Sequence, residues 1–423
     1  MLTIPFIRAN SEITIQGLTK KHVANASEIV HQLIAMDDQR KSLLQQAESA
    51  LEISNAAAKE IGSLMQSGQK ELAEGKRAET AALKGTIKEK EEAAKAAEKQ
   101  MLDLLVTLPN LPHSSVPEGK TAEENEVVLT WGSLPKMQAD AQPHWDLIKK
   151  YDTIDFDLGN KITGSGFPVY IGKGAKLQRA LIQYFLDFNT AAGYTEYLPP
   201  FMVNEASALG TGQLPDKEGQ MYYMPADDFY MIPTAEVPVT NVYRDVIIKP
   251  EEFPIKMTAY SPCFRREAGS YGKDVRGLNR LHQFEKVEII QIVEPSTSYT
   301  VLDEMVAHVE KLVASLELPY RILRLCGGDM GFASAITYDF EVYSAAQERW
   351  LEVSSVSNFE AYQTNRLKCR FKDENGKMQF AHSLNGSSLA LPRILACLLE
   401  NHQTAAGIAI PAALQPYFGA TTI

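Results

Sequence analysis

Between Ser27 and Leu105, apolar or small residues recur at alternating spacings of three and four: Ile29, Leu33 and Met36, then Leu43, Ala47 and Ala50, then Ala57, Ile61 and Leu64. The series resumes at Leu83 and Ile87 and runs on through Ala94, Ala97, Met101 and Leu104. A 3-4 repeat with charged residues between is a heptad, the mark of a helix whose narrow apolar stripe packs on another helix. The segment holds no Pro, Phe, Tyr or Trp and is dense in Ala, Glu, Lys, Gln and Leu, so intrinsic preference agrees with the pattern. The repeat fades over Ser67–Lys76, where Gly68 and Gly75 fall. This predicts two helices of roughly 35–40 residues, each about 55 Å long at about 1.5 Å per residue, folded back as an antiparallel hairpin. Oligomerisation is the commoner use of heptads. The glycine break, which lets the hairpin satisfy itself, and Arg40 and Lys90 in the seam count against it here.

The helical pattern stops at TLPNLPHSSVPEGK, whose prolines (Pro109, Pro112, Pro117) end a helix and stiffen a linker. A domain boundary is expected there, giving residues 1–108 and 109–423. From Trp131 onward helical and period-two stretches alternate. A helix from about Gly174 to Thr190 places Leu177, Leu181, Tyr184, Phe185 and Phe188 on one face, and GYTEYLPPFMVN follows it.

The stretch Pro262–Glu288, PCFRREAGSYGKDVRGLNRLHQFEKVE, reads as strand, glycine-bearing loop (Gly269, Gly272, Gly277) and returning strand. The loop and its exit carry Lys273, Arg276, Arg280 and His282. Because alternate side chains of a strand share a face, Arg265 and Glu267 would project together from the first arm. Arg280, His282, Phe284, Lys286 and Glu288 would do so from the second. Guanidinium forks for phosphate, an aromatic ring for a base and a carboxylate for an amine or hydroxyl suit a triphosphate nucleotide. A solvated hairpin of mixed charge is the plainer reading of the same residues.

Three further segments carry candidate chemistry. In MIPTAEVPVTN, Thr234 and Glu236 are two apart, hence on one face of an extended chain, where a hydroxyl and a carboxylate can grip an ammonium. A surface turn is the alternative. In ERWLEVSSVSNFEAYQTNR, Glu and Ser are hard oxygen donors suited to Mg²⁺; regular alternation sets Glu352 and Ser354 on one face and Ser355 and Ser357 on the other, so a bulge or backbone turn is needed for Glu352 and Ser355 to act together. An ordinary strand with a few polar positions fits this segment as well. In LNGSSLALPRILACLLENHQ a turn feeds an amphipathic helix with Leu391, Ile394, Leu395, Leu398 and Leu399 inward. Arg393 stands in its first turn, where a cation and free backbone N–H groups can meet phosphate; a solvated arginine is the alternative.

Composition narrows the class. The chain has 423 residues, 45% of them hydrophobic, enough for two or three domains and a sizeable core. The N-terminus lacks an export signal pattern and no run of about 18 apolar residues could span a bilayer, so a cytoplasmic protein without a membrane partner is expected. Cys263, Cys326, Cys369 and Cys397 lie far apart, which argues against both structural zinc and a disulfide framework. The net charge of −11 argues against general polyanion affinity, leaving nucleic acid to local basic patches such as Lys70, Lys76, Arg77, Lys84 and Lys88.

The order of residue types in FRREAGSYGKDVRGLNRLHQFEKVE resembles motif 2 of the class II aminoacyl-tRNA synthetases and, more narrowly, the seryl-tRNA synthetases of bacterial type. GYTEYLPPFMVN with Pro200 is similar to motif 1, the dimer interface of that class, and LNGSSLALPR to motif 3. The resemblance covers nearly the whole chain and implies an α+β fold: an N-terminal antiparallel helical hairpin, then a class II antiparallel sheet flanked by helices. It implies a homodimer that makes seryl-adenylate from ATP and L-serine and passes the seryl group to serine tRNA; whether selenocysteine tRNA is also charged stays open. The helical arm, in the family, holds the tRNA. By the same resemblance Thr234, Glu236, Arg265, Glu288, Asn385 and Ser387 bind serine. Arg265, Arg266, Glu267, Arg280, Phe284, Glu352, Val353, Ser354, Ser355 and Arg393 bind ATP. Arg265, Glu267 and Arg393 carry catalysis, and Glu352 and Ser355 hold Mg²⁺. Three positions depart from the family pattern: Ser388 where glycine is common, Pro392 where a small residue is common, and Arg266, which alternation also turns from the ligand. Two other classes remain: an amino-acid ligase serving a carrier protein, whose members lack the arm, and a non-catalytic coiled-coil interaction protein, which would not be expected to keep every charged ligand.

Overall fold

The computed structural model describes residues 1–135, 141–216, 219–267 and 276–423. Gly269, Gly272 and Lys273 of the glycine-bearing loop lie outside the described residues. Two compact units divide the chain, Leu2–Pro109 and Asn110–Ile423, with Met1 counted in the second.

In the first unit two short helices, α1 (Ile4–Ala9) and α2 (Ser11–Lys20), precede the long α3 (Ala26–Gln66) and α4 (Lys70–Leu105). The seam is buried largely through small residues: Ala47, Ala50 and Ala57 on α3, and Ala73, Ala94 and Ala97 on α4, with Val30, Leu33 and Met101 toward the base. Alanine at the seam lets two helices approach closely. The hairpin turn is tighter than the sequence pattern suggests. It occupies Ser67–Gln69, with Gly68 at φ +77°, while Gly75 lies inside α4. Only the first glycine adopts a left-handed backbone, which is what reverses the chain. One charge is buried in the seam: Asp37 takes ion pairs from Arg8, Arg40 and Lys41 at 2.7–3.0 Å. Those three cations hold its carboxyl down at about 2 against the upward push of burial.

The second unit is built on an eight-stranded sheet. Its strands are β1 (Glu126–Trp131), β2 (Thr195–Tyr197), β3 (Ile255–Phe264), β4 (Gln283–Val293), β5 (Tyr320–Arg324), β6 (Ile336–Ser344), β7 (Arg349–Glu360) and β8 (His382–Ala390). The order across the sheet is β1-β5-β6-β7-β8-β4-β3-β2, antiparallel throughout except for the parallel edge pair β2–β3. Helices α5 (Gly172–Ala191), α7 (Ser298–Ala314) and α8 (Leu391–Asn401) contribute to the main core with Val287 and Ile289 of β4, Phe340 of β6 and Val356 of β7. Alternation along β4 sends Ile290 and Ile292 to the opposite face, where they pack with Val239 of the short helix α6 (Glu236–Asn241) and with Leu367. Lys286 and Glu288 share that second face, and the cavities open there.

Two local readings of the sequence need correction. Thr234 and Glu236 do not lie on an extended chain: Thr234 is in a bend and Glu236 begins α6. The first arm of the 262–288 hairpin stops being strand at Phe264 and the return begins at Gln283. Arg265, Glu267, Arg280 and His282 are thus placed by loop geometry rather than by alternation, and Glu267 has φ +48°.

Candidate active site

Two adjoining cavities, of about 340 and 510 Å³, share Arg265, Glu267, Arg280, Lys286, Ser355 and Ser387 in their walls. The smaller is further walled by Phe284, the Glu352–Ser355 run, Pro392 and Arg393. The larger takes in Thr234, Glu236, Glu288, Asp339 and Asn385.

The smaller cavity is rich in cations and has one aromatic wall, Phe284. The Arg265 guanidinium lies 5.2 Å over the Phe284 ring, and its Nε donates to the Pro233 carbonyl at 3.4 Å. Arg280 pairs with Glu267 at 2.7 Å. Arg393, at the third position of α8, donates from Nε to the Asn279 carbonyl at 3.1 Å and from a terminal nitrogen to the Glu352 carbonyl at 2.8 Å. The same arginine stands 3.6 Å from the Glu352 carboxylate. Pro392 occupies the first helical turn, where its missing N–H leaves no internal bond unmade.

The bulge required of the Glu352–Ser355 segment is present. Opposite β6 the register runs Phe340 with Ser354 and then Glu341 with Glu352, so Val353 is the extra residue. The slip cancels one step of alternation and brings Glu352 and Ser355 to the same cavity wall. Ser354 is buried and donates its hydroxyl to the Ser387 carbonyl at 2.6 Å. A carboxylate and a hydroxyl are the hard oxygen donors a divalent cation takes. Asp339, opposite Ser355 on β6, has a buried Oδ1 that lacks a hydrogen bond. Burial, then the charge of Glu352, pushes its carboxyl well above the ordinary range. A divalent cation beside these groups relieves that repulsion, so the residues present fit one.

In the larger cavity Glu288 is the centre. The Thr234 hydroxyl donates to its Oε2 at 3.3 Å, the Asn385 amide to its Oε1 at 3.0 Å, and the Lys286 ammonium lies 2.7 Å from Oε2. Ser387 faces Glu288 in the β4–β8 register. Glu236 enters from α6 with its Oε1 held by the Gln363 amide at 2.5 Å, and burial followed by the charge of Glu288 raises its carboxyl to about 7. A pocket of two carboxylates with hydroxyl and amide neighbours is built for a small polar molecule carrying an ammonium group.

Of the residues selected from sequence, all but Arg266 line one or both cavities. Arg266 is exposed, stacks its guanidinium 4.9 Å over Tyr222 and donates to the Met221 carbonyl, because the backbone turns after Arg265. His282, grouped on sequence with the cationic face, instead stacks on Phe167 with centroids 5.4 Å apart. Lys286 was grouped on sequence with the cationic face and does line both cavities. Asp339 and Gln363 were given no role from sequence: Asp339 is one of two acidic residues on β6 and Gln363 sits on the helix Ala361–Leu367, and local pattern marks neither.

Residues 1–112 match the seryl-tRNA synthetase N-terminal domain family, and residues 223–402 match the tRNA synthetase class II core domain (G, H, P, S and T). A serine--tRNA ligase of Salinibacter ruber is 48% identical over 99% of this chain and 98% of its own length. One of Trichlorobacter lovleyi is 46% identical with the same coverage. Among solved structures, seryl-tRNA synthetase from Pyrococcus horikoshii complexed with ATP superposes with a TM-score of 0.95 at 31% identity, over 100% of this chain and 99% of that one.

Proposed function

The chain belongs to the seryl-tRNA synthetase family, and from that premise we propose that it activates L-serine with ATP and transfers the seryl group to the 3′ end of serine tRNA. The observation that carries the reading is the junction of the two cavities: an arginine-rich, Phe284-walled one and a carboxylate-rich one share Arg265 at their boundary. A nucleotide triphosphate suits the first and an amino acid the second, so carboxylate and α-phosphate would meet at Arg265.

In the first step the serine carboxylate attacks the α-phosphorus of ATP and pyrophosphate leaves; in the second a ribose hydroxyl of the terminal adenosine attacks the seryl carbonyl and AMP leaves. Neither step needs a protein nucleophile, so positioning and charge stabilisation supply the catalysis. Arg265 grips both reacting groups with its planar fork. Phe284 takes the adenine face, Glu267 the adenine edge, and Arg280 and Arg393 the outer phosphates. Glu236 and Thr234 hold the α-ammonium, while Glu288, Asn385 and Ser387 surround the hydroxyl. Glu352 and Ser355 would hold a Mg²⁺ that arrives with the nucleotide, and such an ion would supply neutralisation of phosphate charge.

The arm, residues 1–108, is the tRNA-binding domain and 109–423 the catalytic domain. A homodimer through the β2 edge is supported by the unpaired side of that strand and by Leu198, 78% exposed just after it. Among the described residues no helix is long and apolar enough to cross a membrane. Full-length similarity that includes the arm speaks against a carrier-protein ligase. Pyrophosphate exchange with each of the standard amino acids, with and without serine tRNA, tests the reading. Serine alone should support exchange without tRNA, and the serine tRNA should then be charged; no serine-dependent exchange would overturn the proposal.

A further inference from the structure

Lys286 is a cation at a buried position of β4: Val287, Glu288, Ile289 and Ile290 beside it are at most 1% exposed, and Lys286 itself is 7% exposed. It stands two positions before Glu288 on β4, so both side chains leave one face. Burying an ammonium is strongly unfavourable unless it is paired. Its partner is Glu288 Oε2 at 2.7 Å. It also borders both cavities, at the passage from the phosphate side to the amino-acid side.

We propose that Lys286 is a positioning residue for substrate selection: it holds Glu288 as an oriented, ionised carboxylate, so that the pocket can only accept a hydrogen bond and therefore demands a hydroxyl on the substrate. This rests on the assignment of serine to the Glu288 cavity. An ionised carboxylate has acceptors only, whereas a protonated one also carries a donor. Given a proton, Glu288 could satisfy it locally and would tolerate alanine, because nothing would then be left unpaired. Burial drives Glu288 toward that state, and Lys286 comes first among the groups that oppose it, before Thr234 and Arg265. The titratable and charged groups facing Glu288 are Glu236 from α6, Arg265 and Cys263 from the end of β3, and Lys286 on β4 itself; β8 contributes only the uncharged Asn385 and Ser387. Among the charged neighbours, Lys286 is the cation in direct contact with the carboxylate.

The test is the serine-to-alanine ratio of kcat/KM in pyrophosphate exchange, followed from about pH 6 to pH 9. Serine and alanine present the same ammonium and carboxylate, so titration of Glu236 and contacts of Arg265 cancel in the ratio. Lys286→Met should lower the ratio about tenfold or more near pH 7, and the ratio should recover as rising pH ionises Glu288, while that of the unaltered enzyme stays flat above pH 7. An unchanged ratio, or a fall that alkaline pH does not reverse, would overturn the proposal. Since Lys286→Met alone leaves a buried carboxylate unpaired and could fail to fold, Lys286→Met/Glu288→Gln, which removes both charges, is compared with Glu288→Gln. The two should show the same pH-independent ratio; a difference would mean that Lys286 acts apart from Glu288. Glu288→Gln with an unaltered ratio would instead remove serine from this cavity, a separate failure.

Discussion

At the residue scale the site depends on charges whose surroundings define them. Arg265 is half-buried between Phe284 and the Pro233 carbonyl and supplies no core packing. Arg265→Ala should leave the fold intact and lower serine-dependent pyrophosphate exchange by about 10²–10³, because a fork aimed at developing charge is lost. Exchange rates and circular dichroism on the same preparation check this. Glu236 gives a pH prediction. Its carboxyl, raised to about 7, is neutral below that value and cannot pair with the α-ammonium of serine. For serine, kcat/KM should therefore rise through about pH 7 and level off above it. The bound ammonium favours the charged form, so kcat should vary less. Glu236→Gln should be weaker throughout and lose this limb; a wild-type profile in the variant would exclude Glu236.

At the element scale, a buried network holds the returning limb of the nucleotide loop. His144 Nδ1 lies 2.7 Å from Glu400 of α8, and its Nε2 accepts the Leu278 N–H at 2.9 Å, which sets the tautomer. Ser344 donates its hydroxyl to the other Glu400 oxygen. Leu278 and Asn279 in turn wall the arginine cavity, and the Asn279 carbonyl anchors Arg393. Gly277 has φ +64°, and a Cβ there would meet His144 Nε2 at 2.2 Å. His144→Ala should cost about 1.5–3 kcal/mol in urea unfolding, since the buried Glu400 carboxylate loses one of its partners and the Leu278 N–H its acceptor. It should also raise KM for ATP while leaving KM for serine nearly unchanged. Gly277→Ala should reproduce the ATP effect through strain and collision; equal rises in both KM values would mean that the network supports the fold alone.

At the scale of the whole molecule, the two units have separate cores, which makes activation and charging separable. Because α1 and α2 pack with α3 and α4 in one compact unit, that unit is removed whole, with Met1 joined to Asn110, so that no buried helix face is left exposed. The residues proposed to bind ATP and serine all lie from Thr234 onward, so exchange should survive within a few-fold. Charging of serine tRNA should fall by orders of magnitude through KM, because the part that remains is still net negative and offers little general attraction for RNA. Loss of both activities together would show that the arm supports the fold, and undiminished charging would show that it does not hold the tRNA.

The long helices, the proline joint and the residue types of the site were legible in the sequence, because periodicity and backbone chemistry act over a few residues. The heptads of α3 and α4 needed no partner information, and alternation, applied to the pair that the family resemblance marks, called for a bulge or a backbone turn between Glu352 and Ser355. Other features depended on residues far apart in the chain. Arg265 and Glu267 left the strand geometry, Arg266 turned to Tyr222, and Thr234 reached Glu288 through a bend rather than an extended run. Glu236 owes its raised carboxyl to burial beside Glu288, 52 residues further along the chain. His144 and Glu400 meet across 256 residues to fix Leu278. Desolvation and pairing set the charge state and aim of these groups, and both are properties of the packed interior, which local pattern does not encode.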